Sequence, residues 1–266
     1  MTAGPGKVPV AAQRPPRAKA AKLAGTPDST QKPAAVRPAA NTPGTGRQKS
    51  PGVRDLAAQA TRDAILRAAT QVFAKHGFAG GRIEQIATAA QSHDRMIYYY
   101  FGSKEGLFTA VLADTYRRFN EAEQALVLDL AQPLHALSAL VRFVWAYYQQ
   151  HPEFITLLNT ENLLRGAHLA QDAGVRAYSS PVLAITERVL RSGREQALFR
   201  SDLNARDVYL MIAALAYFYL SNRHTLSSFL GETLEAPAAL AHWESFVIDA
   251  VQRTVCAAPA SHASPL

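Results

Sequence analysis

From residue 55 to residue 256, apolar side chains recur at intervals of three or four positions, which is the period of an α-helix. No segment shows the alternation of apolar and polar residues that is typical of a half-buried strand. The chain is therefore predicted to be all-α, with about nine helices. The first apolar stripe ends at Gly77, a residue type that commonly ends helices, and predicts a helix over about 57–76. Its members are Ile65, Leu66, Ala69, Val72 and Phe73.

Proline, glycine and breaks in the apolar period place the other helices. Ser103 is predicted to cap one of them, with Glu105 in its first turn. The remaining helices are expected at about 82–90, 93–99, from 104 onward, 133–150, 152–166, 175–193, 205–222 and 238–256.

Positive charge is concentrated at the start of the chain. The formal net charge is +7, but residues 1–54 contain ten Lys and Arg against one acid and carry +9, so the rest carries −2. The same segment holds nine of the fifteen prolines and no Phe, Tyr or Trp, and is therefore expected to be disordered. Two interpretations stay open: a cationic arm that attracts DNA phosphates, or a linker without a role.

Several classes of protein are disfavoured by composition. The single cysteine, Cys256, excludes an intrachain disulfide framework and paired-cysteine zinc sites. The longest apolar run, 208–220, is shorter than the ~20 residues that cross a bilayer, and prolines interrupt any secretory signal, so we expect a cytoplasmic protein. The sequence has no Gly-rich phosphate-binding loop, no G-x-S-x-G nucleophile elbow and no H-E-x-x-H metalloprotease motif. Its histidines are not spaced as metal ligands. We therefore expect no catalytic site, metal or cofactor.

Two predicted short helices, joined by the turn 90–92 and preceded by a longer helix, have the dimensions of a helix-turn-helix. The flanking sequence adds three motifs. They are R-x-x-I-L-x-A-A-x-x-x-F-x-x-x-G-F at 62–78, I-x-x-I-A-x-x-A at 83–90 and I-Y-Y-Y-F-G-S-K-E-x-L at 97–107. Together they resemble the amino-terminal domain of the tetracycline-repressor (TetR) family over about residues 60–108.

This resemblance implies a one-component transcriptional regulator, usually a repressor, that acts as a homodimer on a palindromic double-stranded DNA operator and leaves it when a small molecule binds. Composition and this resemblance together divide the chain into four parts: a basic tail (1–54), a helix-turn-helix domain (55–108), an effector-binding and dimerisation domain (109–256) and a flexible end (257–266). The last two predicted helices correspond to the family's dimerisation helices.

Carried over by position, the resemblance assigns DNA contacts to nine residues: Arg82, Ser92, His93, Asp94, Arg95, Met96, Tyr98, Tyr100 and Lys104. Asp94, Arg95 and Met96 occupy base-reading positions, where Arg95 suits guanine and Met96 a thymine methyl. Arg82, Tyr98, Tyr100 and Lys104 occupy phosphate-facing positions, although aromatic packing is an alternative for both tyrosines. The residues expected in the core are Ile97, Tyr99 and Phe101.

The turn departs from the family pattern. Gln91-Ser92-His93 replaces the usual Gly-Val-Ser. A left-handed residue costs a non-glycine about 1 kcal/mol, so either Gln91 tolerates strain or the turn has another shape. Ser92 is an alternative cap to His93, which would shift the base-reading register by up to one residue. Asp94 stands where Lys is frequent and Gly81 where Thr is common. These changes motivate an alternative, a helical interaction protein with a degenerate DNA-binding domain, and an activator of the same fold also fits.

Polar and aromatic residues at inward-facing positions of the larger domain are candidates for effector binding. An aromatic wall with a few hydrogen-bonding groups suits a small planar or partly apolar ligand. Residues 151–164 also resemble a subgroup of the family, some members of which sense nitrogen heterocycles from catabolic pathways, so the effector is expected to be aromatic or nitrogen-heterocyclic. Ordinary core packing is the alternative for each candidate. The candidates are Trp145, Tyr148, Phe154, Asn159, Asn162, His168, Tyr178 and Tyr217.

Overall fold

The computed structural model describes residues 52–170 and 181–257, and this part of the chain is helical, with one isolated bridge between Phe199 and Cys256. The helices within the described ranges are α1 (Val53–Gly80), α2 (Ile83–Ala89), α3 (Asp94–Phe101), α4 (Lys104–Gln124), α5 (Pro133–Gln150), α6 (Pro152–Leu163), α7 (Pro181–Glu195), α8 (Ala205–Leu230) and α9 (Pro237–Val255). The all-α prediction is confirmed. The expected tail and flexible end lie outside the described residues except for 52–54 and 257.

Glycine at position 77 interrupts α1 without ending it. Gly77 has φ 67° and ψ 176°, which lies outside helical values, and a further turn follows it. That turn brings the ring of Phe78 to 6.1 Å from the ring of Phe73 and 5.0 Å from that of Phe108. The helix is longer at both ends than the predicted 57–76, and packing of Phe78 across the chain holds its last turn.

Other helix ends follow local chemistry. The hydroxyl of Ser103 accepts a hydrogen bond from the backbone N–H of Gly106 at 3.1 Å, which confirms the predicted cap of α4. Helix α6 ends at Leu163 rather than near 166, because Arg165 and Gly166 both have positive φ. Helix α8 continues past 222 and ends at Leu230, where Gly231 takes the left-handed conformation and its N–H donates to Ser227 O.

Two buried cores organise the helices. The amino-terminal core is built by α1 to α4 and by Leu157 of α6, and includes Ile65, Phe73, Ile86, Ile97 and Phe108. The carboxy-terminal core is built by α4 to α9 and includes Phe119, Trp145, Leu190, Ile212 and Val251.

Helices α4 and α6 belong to both cores. Along α4, Leu112 packs in the amino-terminal core and Phe119 in the carboxy-terminal core; along α6, Leu157 packs in the former and Phe154 in the latter. Buried side chains are close-packed, so a shift of either helix is felt in both cores. No helix in the described ranges is long and apolar enough to cross a membrane.

Candidate DNA-binding surface and effector site

The turn between α2 and α3 adopts the tight helix-turn-helix form. Gln91 has φ 51°, so it takes the left-handed conformation at a cost of about 1 kcal/mol. The chain reverses through hydrogen bonds from Gln91 N to Thr88 O at 3.1 Å and from Ser92 N to Ala87 O at 2.9 Å. His93 precedes α3 in extended conformation (φ −108°, ψ 147°), and its side chain makes no capping hydrogen bond. Asp94 is therefore the first helical residue.

The outer face of α3 carries four exposed side chains: Asp94, Arg95, Tyr98 and Tyr99. Tyr98 is 52% exposed and Tyr99 is 77% exposed. Positions four apart on a helix share a face, so Tyr99 lies beside Arg95. The prediction that Tyr99 belongs to the core is therefore wrong, and helical spacing from Arg95 was the signal that could have found it.

The inner side of α3 rests on the amino-terminal core. Ile97 is fully buried, while Met96, Tyr100 and Phe101 are half-buried and pack against this core. The ring of Tyr100 lies 5.0 Å from the ring of Tyr99. Met96 and Tyr100 thus border the exposed face rather than project from its centre.

The other predicted DNA contacts flank this face. Arg82 is exposed at the start of α2, where its backbone N–H donates to Gln85 Oε1 at 3.1 Å. Lys104 is half-buried; its Nζ lies 3.4 Å from Ala79 O and 4.9 Å from the centre of the Phe78 ring. Lys104 therefore joins the start of α4 to the end of α1 while keeping a positive charge at the helix edge.

Two of the effector candidates meet in a polar contact between α6 and α8. The hydroxyl of Tyr217 donates to Asn159 Oδ1, and Asn159 Nδ2 donates to Ser221 Oγ at 3.0 Å. Ser221 was not predicted, because a residue 62 positions from Asn159 in sequence becomes its neighbour only through the packing of two helices.

Tyr148 and Phe154 form a second group with residues that sequence reasoning missed. Their rings stack at 5.4 Å, and Tyr209 lies near enough to raise the pKa of the Tyr148 hydroxyl. Tyr116 packs edge-on against Phe154 at 5.8 Å. We call Tyr116, Tyr148 and Tyr209 the tyrosine cluster.

The residues of the tyrosine cluster are buried or half-buried. Burial raises the pKa of Tyr116 to about 12, and raises the pKa values of Tyr148 and Tyr209 well above the usual range. The nearby carboxyl of Glu123, itself 1% exposed, raises the pKa of Tyr148 and Tyr209 further. The hydroxyls therefore stay protonated and able to donate hydrogen bonds.

The remaining effector candidates lie apart. Trp145 is 1% exposed and packs at 5.6 Å from the ring of Tyr219 inside the carboxy-terminal core. Asn162 is exposed, and Tyr178 lies outside the described residues. Within the described ranges, no three His, Cys, Asp or Glu side chains are grouped in a way that could hold a metal ion.

His168 packs on the amino-terminal core instead. Its ring lies 5.1 Å from that of Phe78 and 4.9 Å from that of Phe108. Its Nδ1 is 2.8 Å from Glu161 Oε2, and Glu161 is 2% exposed. The backbone N–H groups of His168 and Leu169 donate to Glu161 Oε1 at 2.8 and 3.0 Å. We call this arrangement the Glu161 clasp, because it ties the chain after α6 to the helix-turn-helix domain.

Helices α8 and α9 present a large apolar surface. Phe218, Leu230 and Phe246 are 58%, 52% and 48% exposed. Phe218 and Leu230 also line an apolar groove of about 570 Å³, together with Leu226 and Trp243. Exposed apolar patches of this kind mark interaction surfaces.

Comparison with known proteins identifies the family. Residues 65–111 match the model of bacterial regulatory proteins of the tetR family, and residues 133–251 match the tetracyclin repressor-like C-terminal domain. The HTH-type transcriptional repressor NicS of Pseudomonas putida is 53% identical over 202 residues, which are 76% of this chain and 95% of NicS. The chain belongs to the tetR family. It is thus a DNA-binding transcriptional regulator, in a family of dimers that bind operators and small-molecule effectors.

More distant relatives are also transcriptional regulators or share the fold. The HTH-type transcriptional regulator RutR of Escherichia coli K12 is 30% identical over 192 residues, covering 71% of this chain and 87% of RutR. The crystal structure of the transcriptional regulator SCO4942 from Streptomyces coelicolor superposes with a TM-score of 0.54 at 23% identity, covering 73% of this chain and 98% of that one. This structural likeness shows the shared fold.

Proposed function

We propose that this protein is a homodimeric repressor that binds a palindromic operator through α3 and leaves it when a small aromatic molecule binds beside the tyrosine cluster. The observation that carries the proposal is the exposed face of α3, where Arg95, Tyr98 and Tyr99 follow a tightly formed turn. The proposal assigns the chain no catalytic role, and as a regulator of bacterial genes it acts in the cytoplasm.

In the major groove, Arg95 reads a base edge, because its guanidinium matches the two acceptors of guanine. Asp94 accepts from a cytosine amino group, and Met96 contacts a thymine methyl from the border of the face. Arg82, Lys104, Tyr98 and Tyr100 bind phosphates, with Ser92 and His93 at the turn beside them. Tyr99 joins this set because it is the most exposed side chain of α3 that the contact predictions left out.

We place the dimer contact on α8 and α9. Their exposed Phe218, Leu230 and Phe246 provide the apolar surface that a permanent helix-helix interface buries. Two copies joined there present two α3 helices, which must lie one turn of DNA apart, ~34–36 Å, to bind both half-sites.

The effector is proposed to be aromatic, including nitrogen heterocycles. Phenolic hydroxyls in the tyrosine cluster can donate to a ring nitrogen, and the faces of Tyr148 and Phe154 can stack on a planar ring. Asn159 and Tyr217 offer a second polar contact further along α6 and α8.

Release follows from the two helices shared by the cores. A ligand that binds better to one arrangement of α4 and α6 shifts the population toward it. The Glu161 clasp and the packing of Leu157 pass that shift to the helix-turn-helix domain. Operator affinity then falls by the ratio of the ligand's affinities for the two states.

The test is selection of bound sequences from a random duplex pool with the full chain at about physiological salt. A palindromic enriched site supports a dimeric reader of DNA sequence. Binding that is only salt-sensitive and sequence-independent would refute it and favour the degenerate-domain alternative. A reporter gene downstream of the selected site then separates repression from activation.

A further inference from the structure

A small cleft opens beside the tyrosine cluster, between α5, α6, α8 and the segment that leads into α9. Its volume is about 290 Å³, close to the lower limit for small-molecule sites. Its walls are mainly apolar or aromatic, with one ion pair, and include Tyr148, Ile155, Leu220, Leu240, Arg223 and Glu235. The cleft therefore has room for a single aromatic ring and one charged group.

The cation of the cleft is held in place. The side chain of Arg223 is 24% exposed, and its Nη1 donates to Leu220 O at 2.5 Å. Its Nε donates to Glu235 Oε1 at 2.8 Å. A guanidinium anchored by a backbone carbonyl keeps its planar fork oriented toward the cleft, where it can bind a second acceptor.

Glu235, the counter-ion of Arg223, is more exposed than Arg223 itself. Glu235 is 52% exposed, and its other oxygen lies 3.5 Å from Nδ1 of His224, which is 69% exposed. An exposed carboxylate loses little when it returns to water, because exposed ion pairs contribute little free energy. Arg223 thus carries a displaceable acidic partner.

We propose that this cleft binds a single-ring aromatic anion, such as an aromatic carboxylate, with its ring against Tyr148 and Leu220 and its anionic group on Arg223 in place of Glu235. This assignment rests on the proposed function and names the chemical class of its effector. A bidentate contact between guanidinium and carboxylate supplies both strength and orientation. The apolar walls then exclude water from the ring.

Displacement of Glu235 would also change the connection between α8 and α9, the two helices proposed to form the dimer contact. Glu235 lies in the short connection between α8 and α9, next to Leu234, whose carbonyl accepts a hydrogen bond from the hydroxyl of Tyr219 at 3.0 Å. Freeing this connection alters how α8 and α9 are tied together. Binding in the cleft is thereby linked to the spacing of the two α3 helices in the dimer.

The test compares benzoate with benzamide, its neutral isostere, by titration calorimetry on the full-length chain. The expected result is binding of benzoate at least about tenfold tighter than benzamide, since charge-assisted hydrogen bonds exceed neutral ones. Arg223→Gln should abolish this preference, whereas Glu235→Gln should strengthen benzoate binding about threefold or more, because the competing carboxylate is gone. Arg200→Gln, which removes a comparable surface ion pair with Asp202, is the matched control and should change neither ligand.

A binding site predicts opposite effects of the Arg223 and Glu235 variants on benzoate affinity, whereas a purely structural ion pair does not. If Arg223 and Glu235 only join α8 to the next segment, both variants lower stability and the ratio of the two affinities stays the same, which overturns the proposal. Equal affinity of the parent protein for benzoate and benzamide, or no binding of benzoate at about 10 mM, overturns it as well. Operator selection is measured without either probe, so failure there refutes the proposed function separately.

Discussion

Replacing Glu161 by alanine should destabilise the protein more than any exposed carboxylate change. The side chain is 2% exposed and accepts three hydrogen bonds, two from backbone N–H groups and one at Nδ1 of His168. Alanine leaves these donors without their acceptor in a mostly buried place, and each such loss costs about 1–3 kcal/mol. Part of this cost is relieved by water, so we expect the free energy of unfolding to fall by about 3–5 kcal/mol.

Glutamine at this position is the informative comparison. Both backbone N–H groups donate to the same oxygen, Oε1, which the amide oxygen of glutamine can replace. The amide NH₂ can then donate to Nδ1 of His168 in the appropriate tautomer. Glu161→Gln should therefore cost about 1 kcal/mol, far less than Glu161→Ala.

Urea denaturation followed by circular dichroism measures both variants, at fixed protein concentration because dimers gain stability with concentration. Glu187→Ala is the matched control, since Glu187 is 47% exposed and pairs with Arg194; its effect should stay within about 0.5 kcal/mol. If Glu161→Ala were no more destabilising than Glu187→Ala, the clasp would have no energetic weight and our account of the link between the cores would fail.

Three further predictions concern DNA binding and pH. Arg95→Ala should relax preference at one base pair, and Lys104→Ala should weaken all duplexes about equally, as measured by competition binding; uniform loss for Arg95→Ala would contradict its base-reading role. Deleting residues 1–54 should lower nonspecific affinity and flatten its salt dependence with sequence preference retained, whereas an unchanged slope in fluorescence anisotropy would show the tail to be inert. Because burial raises the pKa of Tyr116 to about 12, its neutral form favours the folded state. The stabilisation it contributes is complete below pH ~10 and is lost as pH rises toward 12, so alkaline unfolding of Tyr116→Phe should be shallower than that of the parent.

Local signals in the sequence determined the helical class, the helix-turn-helix and the cap at Ser103, because a helix period, a capping hydroxyl and a turn each depend on residues within a few positions. The same signals left the shape of the turn open, and packing settled it: Gln91 takes the left-handed conformation because the amino-terminal core holds α2 and α3 at a fixed distance. For Tyr99, the sequence predicted the helix correctly but assigned the side chain to the core, whereas it is exposed.

Only the tertiary structure decided which polar residues meet. Asn159 forms a hydrogen bond with Ser221, 62 positions away in sequence, and Arg223 pairs with Glu235 beyond the end of α8. His168, predicted as an effector contact, packs against the rings of Phe78 and Phe108. Such contacts depend on how whole helices pack, which is set by the summed burial of many apolar side chains rather than by any one residue. For this protein the sequence therefore determines the elements and the family, while packing determines which residues meet at the proposed effector site and in the proposed link from that site to DNA.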